Sequence, residues 1–473
     1  MLQKELLRQE FDILATERDK WIKRNSYFYK NDYKYMKFLI GDGAKVLELG
    51  CGAGHLLNKL SPSYGVGIDL SEKMIERATK TYPNLNFIQG DVEDHELISS
   101  IDDTFDFIVL SDILGYLDDI EALFDMLHSL CHSDTRVVIA YYSWRWDIIL
   151  KLGEMLRLKM PSGNTNLIST DDTINFLNLA DFEPVKREWK QLIPRRMLGV
   201  GTVINNIFGS LPFLRRLSLR NYVVARSVRN IESKKLSTTV LIPCRNEKGN
   251  IEDAIKRLPK FCDDIEIIYV EGNSKDGTLK EIYRVIDKYV EKDIKVFVQD
   301  GKGKGDAVRK GFDNARGDVL MILDADLTVP PEDLPKFYKA IVNGKGEFIN
   351  GTRLIYPMDD DAMRFLNFWA NRTFSVLFTW LLNQRLTDTL CGTKVLTKRN
   401  YDRIVANRSY FGEFDPFGDF DLIFGASKLN LKIIEVPIRY AERGYGETQI
   451  SRFKHGILLL KMVIFAYRKL KKI

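Results

Sequence analysis

Eight short apolar runs, four on each side of residue 236, alternate with polar and amphipathic stretches. The first four are VLEL (46–49), GVGID (65–69), FDFIVL (105–110) and RVVIAY (136–141). The second four are TVLIP, IEIIYVEG, KVFVQD and DVLMILDAD, beginning at 239. Amphipathic stretches such as 71–81 and 119–131 lie between them. Buried strands alternating with crossover helices predict parallel sheets covered on both faces. The two sets share no sequence period, so two different doubly wound α/β domains are expected rather than a repeat array.

A length of 473 residues is enough for two or three domains. The boundaries read as a first domain over 1–142, opening with helices, and a second over 236–451. Between them, 143–235 is basic and aromatic and ends in the polar linker SKKLSTT. It contains Trp144, Trp146 and Trp189, and from 186 to 229 there are ten Lys or Arg against one acid, Glu188. Two readings fit it, a lid over a substrate or a docking surface for the second domain. Residues 452–473 hold seven Lys or Arg and no acid, interleaved with GILLLKMVIFAY. That pattern predicts an amphipathic helix lying on a membrane surface.

Composition excludes several classes. With 45% apolar and 29% charged residues the chain is not disordered. Five cysteines without a CxxC pair exclude a disulfide scaffold and fit a reducing, cytoplasmic setting. The segment MLQKELLRQEFD lacks the apolar core of a signal peptide, and no run of 18 uncharged apolar residues predicts a membrane span. A net charge of only +5, with no recognition-helix, RNA-stacking or zinc motif, predicts no nucleic-acid partner.

In the first domain VLELGCGAGHLL places Gly50, Gly52 and Gly54 between a strand and a helix. Glycines there permit a tight turn and close approach of a ligand. Asp69 ends the next strand, suited to accept ribose hydroxyl protons. Asp91 ends the third, within reach of an adenine edge. Glu48, the glycines, Asp69 and Asp91 in this order resemble the class I S-adenosylmethionine-dependent methyltransferases. The resemblance covers about 40–142 and implies a Rossmann-like fold. The glycines would hold the methionine part, Asp69 the ribose, Asp91 the adenine amino group, with Glu48 near the cofactor's ammonium. His55, Asp112 and Tyr116 are candidate bases by location only.

In the second domain the strand ends carry VLIPCRNE (240–247), VEGNSKDGT (270–278) and Asp324-Ala325-Asp326. GKGKGDAVRKGF (301–312) is a Gly/Lys loop entering a helix. Two carboxylates flanking a small residue at a strand end suit a hard cation such as Mg²⁺ or Mn²⁺ shared with a diphosphate. These motifs resemble family 2 glycosyltransferases of the GT-A fold. The resemblance implies that Pro243, Arg245, Glu247, Glu271 and Lys304 bind the nucleotide sugar, and that Asp324 and Asp326 hold the metal. NGTRL (350–354), DTLCGTK (388–394), EVPIRY (435–440) and RGYGETQIS (443–451) are similar to polyprenyl-phosphate glycosyltransferases of the dolichol-phosphate mannose synthase type. By that likeness Arg353 contacts the donor, and Arg364 and Arg443 the acceptor phosphate. A phosphate acceptor needs arginines; a sugar hydroxyl needs a general base. Asp388, Asp419 and Asp421 are the candidates for that base, with Asp388, Arg443 and Asp326 the catalytic set. The order of domains resembles bacterial fusions of these two families. It implies an enzyme of surface-glycan or glycolipid assembly, transferring sugar to a polyprenyl phosphate or lipid-linked glycan and O-methylating the glycan; the alternative is a glycosyltransferase with a sugar hydroxyl acceptor whose methyltransferase half only binds cofactor, as regulator or scaffold. Peripheral contact with the inner membrane face would come through the C-terminal helix.

Overall fold

In the computed structural model the described residues are 2–163, 165–231, 233–356, 365–412, 420–441, 443–445 and 452–472. They fall into two compact units, Met1–Ile231 with the last two residues, and Glu232–Lys471.

The first unit is built on a seven-stranded sheet: β1 (Lys45–Leu49), β2 (Tyr64–Asp69), β3 (Asn86–Gln89), β4 (Phe105–Ser111), β5 (Cys131–Tyr142), β6 (Phe182–Lys190) and β7 (Arg220–Ser227). Their order is β3-β2-β1-β4-β5-β7-β6. The first five run parallel, and β7 is antiparallel to both β5 and β6. Four of these strands coincide with the apolar runs, because an interior strand with both faces covered must be apolar throughout. The helix at 71–81 forms as Glu72–Thr81, with Ser71 Oγ accepting from Met74 N at its start. Strands β6 and β7 come from the stretch read as lid or docking surface, so much of 143–235 completes this sheet.

The second unit repeats the architecture with different topology: β8 (Thr238–Cys244), β9 (Ile265–Glu271), β10 (Asp293–Val298), β11 (Val319–Ile322), β12 (Phe348–Thr352), β13 (Lys394–Thr397) and β14 (Ile433–Pro437). The order is β10-β9-β8-β11-β13-β12-β14, with β13 antiparallel to its two neighbours. The two α/β folds expected from the strand pattern are therefore present. In each, strand order reverses beside the first strand, between β1 and β4 and between β8 and β11. Ligands of open α/β sheets bind at that crevice, beyond the strands' carboxyl ends.

Each unit has its own core. Val46, Leu47, Ile108, Val138 and Val224 are fully or almost fully buried in the first; Val240, Ile242, Met321 and Ile349 in the second. All five cysteines are free thiols. Among the described residues no helix is long and apolar enough to cross a membrane. The C-terminal helix Arg452–Ala466 is two-sided. Leu459, Met462 and Ala466 are buried, whereas Ile457, Leu460 and Ile464 are exposed. Two basic residues beyond it are engaged in protein contacts: Lys469 Nζ donates to Tyr410 O and Lys471 Nζ to Asn383 Oδ1, each at 2.6 Å.

Candidate functional sites

At the crevice of the first unit lies a cavity of about 460 Å³. Its floor is the glycine loop after β1. Gly50, Gly52 and Gly54 all take positive φ, 73°, 52° and 72°. A β-carbon on Gly50 would meet Ile113 Cδ1 at 2.7 Å, and one on Gly54 would meet the Phe87 ring at 2.6 Å. Only glycine serves there. Asp69 braces the loop: Oδ2 accepts from Gly52 N at 2.7 Å and Oδ1 from Ser71 N at 2.9 Å. Burial raises the Asp69 carboxyl above its usual value against those two bonds. Each oxygen still has a lone pair for a ligand hydroxyl.

Glu48 lies in β1 at 2% exposure, and its Oε2 has no hydrogen-bond partner. Burial pushes its carboxyl up to about 8. An orphan buried carboxyl beside a glycine cradle is what an ammonium-bearing cofactor would satisfy, so the donor set fits S-adenosylmethionine. Asp91 also lines the cavity, ion-paired to Lys4 at 3.0 Å. The N-terminal helix Leu2–Ala15 that carries Lys4 also places Leu7 and Phe11 in the cavity wall.

Of the three candidate bases, the cavity is lined by Asp112 and Tyr116. His55 is engaged elsewhere, between Asp19 Oδ1 at 2.9 Å and Tyr82 Oη at 2.8 Å. Tyr116 donates to Ser162 O at 2.7 Å. Asp112 directly follows β4 at φ 60° and pairs with Arg220, whose fully buried guanidinium also binds Asp32 at 2.9 Å. Burial raises the Asp112 carboxyl, with Arg220 opposing. Arg18 went unnoticed in the sequence. It lines the same cavity, with its guanidinium 5.8 Å from the Tyr29 ring centre and Nη1 3.6 Å from Met160 Sδ.

The second site gathers charge at the ends of β8 and β11. Arg443 links Asp326 Oδ2 at 2.6 Å to Glu247 Oε1 at 3.3 Å. Thr328 Oγ1 donates to Asp326 Oδ1 at 2.8 Å. Lys304 Nζ contacts Asp324 Oδ1 at 2.6 Å. Burial alone would raise Asp324, but Lys304, Lys394 and Arg353 outweigh it and hold the carboxyl below its ordinary value. Gly392 makes room for this pair, since a β-carbon there would come within 1.8 Å of Asp324 Oδ2. Leu327, next after the carboxylates, sits at φ 54°, a strained conformation for an aliphatic residue.

The remaining expected residues divide. Pro243 is half-buried, and Arg245 beside it is exposed. Glu271 is buried and braces its own loop, accepting from Ser274 N at 2.5 Å and Asn273 N at 3.1 Å. Arg353 is locked to Asp388 through Nε at 2.7 Å and Nη2 at 2.8 Å. Asp388, expected as a candidate general base, is closely held. It is fully buried and accepts five hydrogen bonds, from Arg353 Nε, Nη2 and backbone N, Asn371 Nδ2 and Leu390 N. Burial is opposed by Arg353 and Asn371, which bring its carboxyl down to about 2. So saturated a carboxylate positions Arg353 and does not collect protons. Asp421 lies between Arg309 and Arg408, 3.7 and 3.8 Å away. Arg364 and Asp419 lie outside the described residues.

Among the described residues no group of three or more His, Cys, Asp or Glu is gathered for a metal. Asp324 and Asp326 are a pair of oxygen donors, which suits a hard cation whose other ligands are phosphate oxygens and water.

Comparison with known proteins agrees with this division. Residues 21–187 match the family model of a methyltransferase domain, and 239–404 that of glycosyl transferase family 2. A dolichol-phosphate mannosyltransferase of Pyrococcus furiosus is 37% identical over 242 residues, 50% of this chain and 64% of that protein. An undecaprenyl-phosphate 4-deoxy-4-formamido-L-arabinose transferase of Edwardsiella ictaluri is 24% identical over 229 residues, 48% of this chain and 66% of that one. The chain thus spans just under two thirds of each relative's length. Among solved structures, a SAM-dependent methyltransferase, possible histamine N-methyltransferase, of Thermotoga maritima is 16% identical at a TM-score of 0.37, covering 46% of this chain and 98% of that one. Magnesium protoporphyrin IX methyltransferase of Synechocystis with bound SAH is 16% identical at a TM-score of 0.34, covering 47% and 99%. The chain thus matches a methyltransferase domain model in its first unit and the glycosyl transferase family 2 model in its second.

Proposed function

We propose that the chain is a bifunctional enzyme of surface-glycan or glycolipid biosynthesis, acting at the cytoplasmic face of a membrane. Its second unit transfers a sugar, with inversion, from a nucleotide sugar to a polyprenyl phosphate or lipid-linked glycan. The observation that carries this reading is the Asp324–Asp326 pair, met by Lys304 and Arg443 beside Glu247. Both relatives named above are, by their names, transferases to polyprenyl phosphates.

Asp324 and Asp326 would hold Mg²⁺ or Mn²⁺, which when bound neutralises charge growing on the diphosphate leaving group. Lys304 and Arg443 then exchange carboxylate contacts for phosphate contacts. Arg353 stays fixed by Asp388 and presents its remaining N–H groups. The acceptor phosphate is already an anion at neutral pH and needs no base. That agrees with the saturation of Asp388, and it favours phosphate over a sugar hydroxyl as acceptor. The exposed Ile457, Leu460 and Ile464 of the C-terminal helix supply peripheral contact with the membrane.

The first unit binds S-adenosylmethionine over Gly50, Gly52 and Gly54, with Glu48, Asp69 and Asp91 as its polar partners. It O-methylates the glycan. The cofactor supplies a methyl group activated on a sulfonium. Asp112 would take the proton of the attacking hydroxyl as the methyl passes to oxygen and its bond to sulfur breaks, the electron pair staying on sulfur. Arg18 keeps its charge in the cavity wall, where it faces an anionic group of cofactor or acceptor.

Incubation of the chain with Mg²⁺, polyprenyl phosphate and a panel of radiolabelled nucleotide sugars tests the transfer. Label entering the organic phase is expected for one donor. Nucleotide released with no label in that phase, for every donor, would discard the lipid-phosphate acceptor.

A further inference from the structure

Residues 144–217 of the first unit expose an unusual amount of apolar side chain. On helix Asp147–Met155, Ile148, Leu152 and Met155 are 74%, 48% and 72% exposed, one stripe at i, i+4 and i+7. Helix Val200–Ile207 turns out Val200, Val203 and Ile207 in the same way. Its inner side is fixed: Asn205 bridges the backbone N and O of Ile193 at 2.8 and 2.7 Å. The preceding turn, Met197–Gly199, runs wholly at positive φ, 45°, 54° and 101°, and leaves Leu198 completely exposed. Phe213 is 88% exposed. Strain and full exposure at large apolar residues are not what folding alone selects.

These segments form one neighbourhood. Trp146 Nε1 donates to Leu217 O at 2.8 Å and Arg145 to Arg216 O at 3.3 Å. Leu152 walls the same cavity as Pro194 and Arg195. The charge has one sign: from 190 to 217 there are five Lys or Arg and no acid, and Arg195, Arg196 and Arg216 are exposed.

We infer that this face docks the first unit on an anionic lipid surface. Projecting apolar side chains ringed by arginines match the boundary between acyl chains and phosphate headgroups, where the former bury and the latter pair. Leu198 and Phe213 project furthest, beside the exposed Met197, Val200 and Leu217, which suits insertion into lipid. Because Leu152 is both exposed and part of the cavity wall, the cavity beside the glycine loop opens at this face. Its methyl acceptor then reaches it from the bilayer surface. The docking stands independently of both transfer reactions; the acceptor's route rests on the proposed methylation.

The test is flotation of the full chain with vesicles of phosphatidylcholine, alone or mixed equally with phosphatidylglycerol. Binding is expected to the mixed vesicles, to fall with salt, and to be much weaker on phosphatidylcholine. L198D/F213D should weaken binding about tenfold or more, and R196Q/R216Q about as much, since each cation near anionic lipid is worth on the order of 1 kcal/mol. S-adenosylmethionine binding and the unfolding temperature report whether the variants remain folded. Absence of binding by the unaltered chain overturns the inference. So does wild-type binding by L198D/F213D, or loss confined to I457D/I464D in the C-terminal helix. Loss of self-association in L198D/F213D with vesicle binding intact would make the face an interface between copies and overturn it equally.

Discussion

The two sites treat charge in opposite ways. In the first unit, β1 keeps a buried carboxyl, Glu48, just ahead of the glycine loop with one oxygen unpartnered, while Asp91 and Asp112 in the cavity wall are paired with Lys4 and Arg220. The cleft of the second unit pairs its key carboxylates: Lys304 with Asp324, Arg443 with Asp326, Arg353 with Asp388. A site with an orphan carboxyl is preorganised for a ligand that brings positive charge, and holding it empty costs stability. A self-neutralised site is stable when empty, and an anionic, metal-bearing ligand has to displace its internal pairs. The first arrangement suits a sulfonium cofactor with an ammonium group; the second suits a diphosphate.

The sharpest way to break this contrast is Asp326→Ala. Sugar transfer should fall at least about 100-fold, as when a group stabilising transition-state charge is removed, with S-adenosylmethionine affinity unchanged by calorimetry. Full transfer by that variant would end the assignment of the carboxylate pair. Gly392→Ala is expected next: its β-carbon displaces Asp324 from Lys304, and transfer should drop about tenfold or more without loss of fold.

Asp388→Asn separates positioning from base catalysis. As a positioning group its loss leaves Arg353 buried and poorly paired, so stability should fall by about 3–5 kcal/mol in urea unfolding. The pH profile of residual transfer should keep its shape. A lost acidic limb with unchanged stability would restore Asp388 as a base.

Glu48→Gln probes the other side with the smallest effect. S-adenosylmethionine binding should weaken roughly tenfold, the worth of one charged hydrogen bond. Without cofactor the sign reverses. The folded carboxyl titrates near 8, well above its unfolded value. Its contribution to stability is therefore full below about pH 4.5 and lost as pH rises through about 8. The glutamine variant should match the parent at pH 4 and melt higher at pH 9. Parallel melting curves at both pH values would mean that Glu48 is not strained.

What was legible in the sequence is what is local. The strand ends, the three glycines, Asp69 and the Asp324–Asp326 pair each act within a few residues of a strand terminus, so pattern and position coincide. What was not legible depends on partners far along the chain. Arg220 meets Asp32 across 188 positions, and Lys4 meets Asp91 across 87. Asp388 looked like a free acid because Arg353 and Asn371 reach it only in the fold. Strands β6 and β7 escaped notice because their basic residues, including Lys186, Arg220 and Arg226, are buried or paired, which no alternation of apolar residues announces. The tail was legible as an apolar, basic helix, but not the use of Lys469 and Lys471 as internal hydrogen-bond donors.

The central claim is that both units work on one product. Its most direct test is a double-label reaction: the full chain, polyprenyl phosphate, Mg²⁺, a ¹⁴C-labelled nucleotide sugar that is turned over, and S-adenosylmethionine tritiated on its methyl group. The account predicts both labels in one organic-phase species, with tritium absent when the sugar donor is omitted. Carbon label in that phase with no tritium under any condition, or tritium on a species that lacks the sugar, would contradict it.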